Sequence, residues 1–319
     1  MRVLAFVGRR LGLLALVMAI VSVLIFGIVQ VLPGDVAVMI LGTSATPADL
    51  TALRQRLGLD RPAALRYADW VSGAVRGEWG VSLLYQVPVR PLVLERLRRS
   101  AALAALALVV AVPLAIGLGV LAALRRNGLF DQAVGLVTLV AVSLPEFIVG
   151  TVLILVLAFR FTVFPPSSLI DPGASPWSIA PKLILPVLTL VLAILAHMTR
   201  MTRASMLDVL EQPYIRAARL KGLRPRRVIL RHALRNALLP TVGIVAINVG
   251  FLIGGIVVVE TVFAYPGLGR LTFDAISSRD YPLMQGTFLV LTVMVVLMNA
   301  LADLTYPMLD PRARIGAGR

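Results

Sequence analysis

The sequence has no cysteine and only two histidines, His197 and His232. Within this chain, disulfides, thiolate nucleophiles and cysteine metal sites are therefore excluded, and a histidine metal cluster is disfavoured. Charge is also scarce, because Asp, Glu, Lys and Arg make up only 15% of the 319 residues, whereas hydrophobic residues make up 59%. This composition lies far outside that of soluble globular domains. It is typical of a protein that lives in a membrane.

What the sequence does contain is a series of long apolar runs. Several reach the roughly 20 residues that cross a bilayer as a helix, and isolated strands would leave backbone groups unpaired in lipid. We therefore predict an all-α integral membrane fold, one domain over residues 1–319. The first run is too long for a cleaved signal peptide and lacks the small-residue cleavage site, so it is a retained span. Six spans are predicted, with approximate bounds 11–32, 101–124, 132–159, 181–198, 237–259 and 284–306.

The 31 basic residues outnumber the 16 acidic ones, and their distribution predicts the orientation. With a cytoplasmic N-terminus, 18 Lys and Arg residues lie on the inner side, and the short outer loops hold only three, with Lys182 at the edge of a span. Residues 33–100 carry nine arginines, but segments longer than about 60 residues are largely exempt from the positive-inside rule. We predict that both termini are cytoplasmic and that residues 33–100 are extracytoplasmic.

The long outer segment has helix signals of its own. Thr46 precedes Pro47 and Asp49, which is the pattern of an N-cap, a first-turn proline and a first-turn acid. A second helix is predicted from near Pro62 to Gly77. A later outer connection, "FPPSSLIDPGASPW", is rich in proline and turn-forming residues and is predicted to be irregular.

The inner segment 199–236 carries ten of the 18 inner basic residues, and eight of these lie in the stretch "EQPYIRAARLKGLRPRRVILRHALRNALLP". Pro213 predicts that one helix ends near Gln212 and that a short one begins there. Gly222 supplies a left-handed stop, and Pro225 suits the first turn of the next helix. The result is a short helix that lies across the inner face of the membrane.

Three kinds of partner come into question for this segment: lipid headgroups, a soluble protein and nucleic acid. The charges alone fit retention on the inner side and contact with lipid headgroups. The short helix, with its small residues and glycine exit, fits a groove on a soluble protein. A nucleic-acid partner is disfavoured, because the turn between the short helix and the next one lies between two membrane spans, and the sequence shows no separate recognition domain.

The stretch from Tyr214 to Pro240 resembles the cytoplasmic "EAA" loop of bacterial ABC importer permeases, in their dipeptide, oligopeptide and nickel branch. The family pattern Glu-Ala-Ala-x-x-x-Gly falls on 216–222, with Arg216 in place of the glutamate. Three further stretches also resemble the B-type subunit of that branch: "LPGD", "LGLDRP…Y…W" with "GEWGVS", and "GGIVVVETVFAYPGLGRL". The resemblance covers nearly the whole chain.

This resemblance implies a type I importer in the bacterial cytoplasmic membrane. Its expected partners are a C-type second permease, two cytoplasmic ATPases or ATPase domains and an extracytoplasmic binding protein. ATP and magnesium would bind those ATPases, and this chain, which has no G-x-x-x-x-G-K-[ST] phosphate loop, would hold no cofactor, catalytic residue or metal of its own. The substrate is expected to be a di- or oligopeptide, with nickel or another small solute as the alternative. The expected ATPase-coupling residues are Tyr214, Ile215, Arg216, Ala217, Ala218, Lys221 and Gly222.

Polar residues within the spans are candidates for the translocation pathway. Glu146 follows Pro145 midway along the third predicted span, where a carboxylate is costly and faces a bundle interior or a water-filled path. In the family that the chain resembles, the position of Glu146 is often occupied by a small polar residue. Asn248 and Glu260, in the fifth span and at its outer end, complete the set. A secondary transporter, which would need repeats with broken helices, and a membrane enzyme, which would need convergent catalytic groups, are the weaker alternatives.

Overall fold

A computed structural model describes residues 2–31, 38, 45–56, 60–171 and 173–309, with backbone alone at 2–11, 29–31, 53, 56, 239–251, 253 and 301–309. The described residues form helices and loops, with one isolated antiparallel bridge between Val81 and Pro88. The prediction of an all-α fold is confirmed.

The principal helices are numbered here in chain order: α1 Arg2–Val31, α2 Pro47–Arg56, α3 Ala63–Arg76, α4 Val89–Leu124, α5 Leu129–Ser143, α6 Glu146–Leu153, α7 Pro176–Leu210, α8 Pro213–Leu220, α9 Leu234–Val262, α10 Leu268–Ser277 and α11 Tyr281–Leu309. Helix α6 continues into a π-helical segment, Ile154–Arg160. Helix α9 follows a single turn, Pro225–Arg227, and a second π-helical segment, Val228–Ala233.

Three helices of the described part are long and apolar enough to cross a bilayer: α4, α7 and the Tyr281–Ala300 part of α11. The bent pair α5 and α6 makes a fourth if it counts as one span, and α1 contains a shorter apolar stretch, Gly12–Ile28. Since most side chains in the middle of α9 lie outside the description, the count of six spans stays a prediction.

The third predicted span is not the continuous helix expected over residues 132–159. The chain breaks at Leu144 and Pro145, and the two helix axes differ in direction by 107°. Proline lacks the N–H that would continue the helix and pushes the preceding residue out of the helical region. Leu144 accordingly has an extended backbone, with φ −98° and ψ 125°. Glu146 therefore opens a new helix instead of lying in the middle of one.

The chain divides into two compact units, of which one comprises Met1–Leu97 and Leu271–Val296. In this unit α3 packs against α1 through an aromatic cluster. The ring centroids of Phe26 and Tyr67 are 5.5 Å apart, and those of Phe26 and Trp70 are 6.2 Å apart. The hydroxyls of Ser22 and Tyr67 share a 2.7 Å hydrogen bond.

Helices α2 and α3 begin where the sequence predicts, and α3 also ends there. Helix α2 starts at Pro47, and the Thr46 hydroxyl accepts a 3.3 Å hydrogen bond from the Asp49 N–H. Helix α3 ends at Gly77, which has φ +83°. Residues 57–59, which follow α2, lie outside the described residues.

The second unit comprises Arg98–Arg270 and Leu297–Arg319. Helix α7 is at its centre and packs against α9 and both arms of the bent pair. Helix α4 contributes alanines at four-residue spacing, Ala107, Ala111 and Ala115, all fully buried in the same core as Leu190 and Phe263. Small residues on one helix face let membrane helices approach closely.

Candidate functional site

Helix α8 is the short helix that the sequence predicts between two longer ones, and both of its ends have a physical cause. Pro213 occupies the first helical position, after Gln212 with an extended backbone. At the other end Gly222 has φ +74°. The Gly222 N–H donates to the Arg219 carbonyl at 3.0 Å, and the Leu223 N–H donates to the Ala218 carbonyl at 3.4 Å. This pair of bonds is the Schellman arrangement that ends helices at glycine.

One face of α8 is anchored in the body of the protein. Ile215 is fully buried and Ala218 is 8% exposed, in a cluster with Met206, Val228 and Ala233. Two of the seven predicted coupling residues therefore face their own chain, where they hold α8 in place. They are not available to an external partner.

The other five coupling residues form the free surface of α8. Tyr214 is 42% exposed, and Arg216, Ala217, Lys221 and Gly222 are also exposed. The Tyr214 hydroxyl accepts a 2.8 Å hydrogen bond from the Asn236 side-chain amide, which fixes the ring. This face combines a small residue, cations and an aromatic ring.

Sequence reasoning missed Leu220, which is 89% exposed at the end of the same helix. Ala217 and Leu220 are three residues apart, so they share a helix face. Helical periodicity places Ile215 and Ala218 on the opposite side, but both pairs are apolar, so the sequence does not show which pair is exposed.

Next to α8, an ion pair joins α5 to α7. The Arg203 guanidinium donates to both Asp131 carboxylate oxygens at 2.5 and 2.7 Å, and the Asn127 N–H donates to the same carboxylate at 3.0 Å. The Asp131 side chain is only 6% exposed. A second pair, Arg126 with Glu211 at 2.7 Å, is more than half exposed on both sides and contributes little to stability.

Helices α4 and α7 come into close contact at Gly119. A Cβ atom added there would lie 2.7 Å from the Thr202 Cβ and 2.8 Å from the Thr199 carbonyl oxygen. Only glycine permits this contact. Together with the ion pair, it fixes the end of α7 from which α8 departs.

The break between α5 and α6 opens onto a cavity of about 350 Å³. Most of its lining is apolar, but Glu146, Thr189 and His197 also line it. Glu146 is half-buried and lies against α9, where a Cβ atom added to Gly255 would be 3.4 Å from its Oε1. The structure thus brings together two residues, Glu146 and His197, that the sequence analysis kept apart.

Glu260 lies in a different place and has a full set of partners. Its carboxylate is fully buried and accepts hydrogen bonds from the Ser100 hydroxyl at 2.5 Å, the Gly269 N–H at 2.7 Å and the Arg270 N–H at 3.3 Å. Ser100 in turn accepts from the Leu268 N–H at 2.7 Å. These N–H groups are the orphan donors at the start of α10. Glu260 and Ser100 therefore cap α10.

Beside this cap, Tyr265 is 3% exposed and donates a 2.9 Å hydrogen bond to the Arg99 carbonyl. Burial raises the pKa of Tyr265 to about 12; the negative charge of Glu260 adds to the rise, and Arg99 opposes it. The third predicted pathway residue, Asn248, lies on α9, but its side chain is outside the described part. The pathway role of Glu260 and Asn248 stays a prediction.

The last two residues of the "GEWGVS" stretch, Val81 and Ser82, begin a tight turn that is anchored at Asp280. The fully buried Asp280 carboxylate accepts hydrogen bonds from the Ser82 hydroxyl at 2.5 Å, the Leu84 N–H at 3.0 Å and the Leu283 N–H at 3.1 Å. The Ser82 N–H pairs with the Val87 carbonyl at 2.9 Å. The motif therefore has a folding role that its sequence did not reveal.

No group of three or more His, Asp or Glu side chains that could hold a metal ion occurs among the residues with described positions. What the geometry does define is a membrane protein of apolar α-helices with a short, exposed helix between two long ones. That is the class to which the comparisons with known proteins assign it.

Two family models match the chain. Residues 115–315 match the "Binding-protein-dependent transport system inner membrane component", and residues 3–88 match the N-terminal region of such components. The chain belongs to this family of ABC transporter permease subunits, and it is a multi-pass inner-membrane protein.

Individual relatives are similar over almost their whole length. A protein of Sinorhizobium fredii described as "Probable peptide ABC transporter permease protein y4tP" is 38% identical over 311 residues, 97% of this chain and 99% of the relative. The "Glutathione transport system permease protein GsiC" of Escherichia coli K12 is 38% identical over 308 residues, 97% of this chain and 98% of the relative. The resemblance to ABC importer permeases of the peptide branch is thereby confirmed.

Proposed function

We propose that this chain is the B-type, pore-forming subunit of an ATP-driven importer of di- and oligopeptides. Similarity to peptide and glutathione permeases over 97% of the chain carries the proposal. The exposed face of α8 supports it, because a permease without a nucleotide site needs a surface that takes up movement from an ATPase.

The proposed assembly contains a second, C-type permease, two cytoplasmic ATPases or ATPase domains and an extracytoplasmic binding protein. ATP and magnesium bind the ATPases, and this chain contributes passage and coupling without catalysis. Both termini and α8 face the cytoplasm, and residues 33–100 face the outside. The charge distribution supports this orientation.

The proposed mechanism of coupling follows from the two faces of α8. Ile215 and Ala218 fix the helix to the permease, while Ala217 and Leu220 enter a groove on the ATPase. Gly222 ends the helix two residues after Leu220, and no atom lies within 4 Å of a Cβ added there. A movement of the groove would then be transmitted through α8 to α7 and α9.

Two adjacent alanines test this mechanism. Ala217→Asp places a charge on the exposed face, so the permease should fold, but the ATPases should no longer co-purify, since desolvating an unpaired charge in the groove is costly. Ala218→Asp places the same charge in the protein's own core and should lower the amount of folded permease. The measurements are membrane abundance, ATPase co-purification and uptake. Normal coupling in Ala217→Asp would place the contact elsewhere.

The substrate is tested by deleting the gene for this subunit in an amino-acid auxotroph that has no other peptide importer. Growth on dipeptides as the source of the required amino acid should stop, and the wild-type gene should restore it. Undiminished growth would contradict peptide import and favour nickel or another small solute.

A further inference from the structure

The cavity at the break between α5 and α6 contains an ionisable group, the Glu146 carboxylate. No donor among the described residues hydrogen-bonds the Glu146 carboxylate. Asp131, Glu260 and Asp280 each accept from at least three donor atoms. A carboxylate in an apolar-walled cavity of a membrane protein needs a compensating group.

The backbone around Glu146 gives a second reason to expect a ligand. Irregular backbone at membrane depth is tolerated only where it is buried in protein or lines a polar cavity. In other membrane transporters, broken helices of this kind form the substrate site. Here the break places Glu146 at the start of α6, beside the cavity.

The dimensions and chemistry of the cavity suit a short peptide. Its volume of about 350 Å³ falls within the range of small-molecule sites, about 300 to 1,000 Å³. Thr189 and His197 are eight residues apart on α7, so the polar lining extends over about 12 Å of the helix. An extended dipeptide spans about 7 Å. Its ends carry an ammonium and a carboxylate, which match a glutamate and an imidazole.

We propose that Glu146 binds the α-ammonium group of the peptide as it passes through the permease, with His197 available to the peptide carboxylate. The inference rests on the proposed function, since it needs a peptide as the transported solute. The competing interpretation, in which a cationic side chain of the second permease neutralises Glu146, is an outcome of the test.

The test is uptake of radiolabelled dialanine and glutathione, both with a free α-ammonium, by cells that express the complete transporter and have no other peptide importer. Glu146 is replaced by Asp, Gln and Lys. Asp208→Asn, which removes an exposed carboxylate of α7, is the matched control. Maximal uptake rate is normalised to assembled complex, and co-purification of the second permease is measured in parallel.

Glu146→Gln should lower the maximal rate about tenfold, the scale of a lost hydrogen bond to a charged group. Glu146→Lys should be worse, Glu146→Asp should keep most of the rate, and Asp208→Asn should match the wild type. The KM should change little, because the binding protein captures the peptide first.

Wild-type rates in Glu146→Gln would show that the charge is not used and would overturn the inference. Loss of the second permease, with a normal rate per assembled complex, would make Glu146 a subunit contact and would also overturn it. If the wild-type transporter imports neither peptide, the proposed function fails, and this inference fails with it.

Discussion

Replacing Glu260 should destabilise the first turn of α10 while the rest of the protein stays folded. In Glu260→Ala the Gly269 and Arg270 N–H groups lose their carboxylate acceptor, and the Ser100 hydroxyl loses its own. A buried donor left without an acceptor costs about 1 to 3 kcal/mol. Two such N–H groups put the local cost at about 3 kcal/mol, which corresponds to a shift of about a hundredfold in the local opening equilibrium.

Hydrogen exchange of the solubilised transporter, followed by mass spectrometry, measures this shift in the local opening equilibrium of α10. Amide exchange in the peptide that covers residues 268–277 should accelerate by about a hundredfold in Glu260→Ala. Ser100→Ala should accelerate it less, because the carboxylate still accepts from two N–H groups. Glu78→Ala removes an exposed acid and is the control, with no change expected.

A glycine variant gives an independent check of the same cap. A Cβ atom added to Gly267 would overlap the Glu260 carboxylate. Gly267→Ala should therefore displace the carboxylate and accelerate exchange in α10 although every polar group is retained. Unchanged exchange in both Glu260→Ala and Gly267→Ala would refute the assignment of Glu260 as the cap.

Three further predictions concern other parts of the molecule. Asp131→Asn should lower the thermal aggregation midpoint of the solubilised protein more than any exposed ion-pair variant. The Arg203 guanidinium, which is 32% exposed, then meets an amide oxygen instead of a carboxylate, and hydrogen bonds to charged groups contribute about 1.5 to 3 kcal/mol. An unchanged midpoint would contradict this. Gly119→Val should prevent α4 from packing on α7 and should reduce the abundance of the protein in the membrane. Gly117→Val should be tolerated, because no atom lies within 4 Å of a Cβ added there. Equal abundance of the two variants would count against the close contact. A single cysteine at Asp49 should react with an impermeant thiol reagent in intact spheroplasts; labelling only after permeabilisation would reverse the orientation.

The local structure of α8 could be predicted from the sequence because its determinants are local. Pro213 and Gly222 act through backbone geometry that depends on the residue type alone. Which side of α8 faces the protein could not be predicted, because Ile215 and Ala218 are buried by residues up to about a hundred positions away. The same limit hid Leu220, whose exposure depends on that orientation.

The bend at Pro145 had a signal in the sequence, the proline itself. The apolar composition of the run nevertheless favoured a continuous helix. The apolar run through residues 132–159 satisfied the length of a span, and a proline inside a membrane helix is often accommodated by neighbouring helices. The structure follows the local rule, since Leu144 leaves the helical region. The roles of Ser100 and Asp280 had no such signal, because each bonds with residues about 160 to 200 positions away.

Among the described acidic residues, Glu146 differs from Asp131, Glu260 and Asp280 in a way that bears on function. Asp131, Glu260 and Asp280 are almost fully buried, and each is surrounded by donors that include backbone N–H groups. Such carboxylates stabilise helix starts and turns, and their bonds are permanent features of the fold. Glu146 has a cavity beside it where the others have donors. No described residue donates to the Glu146 carboxylate, which is the arrangement that the proposed binding and release of an ammonium group requires.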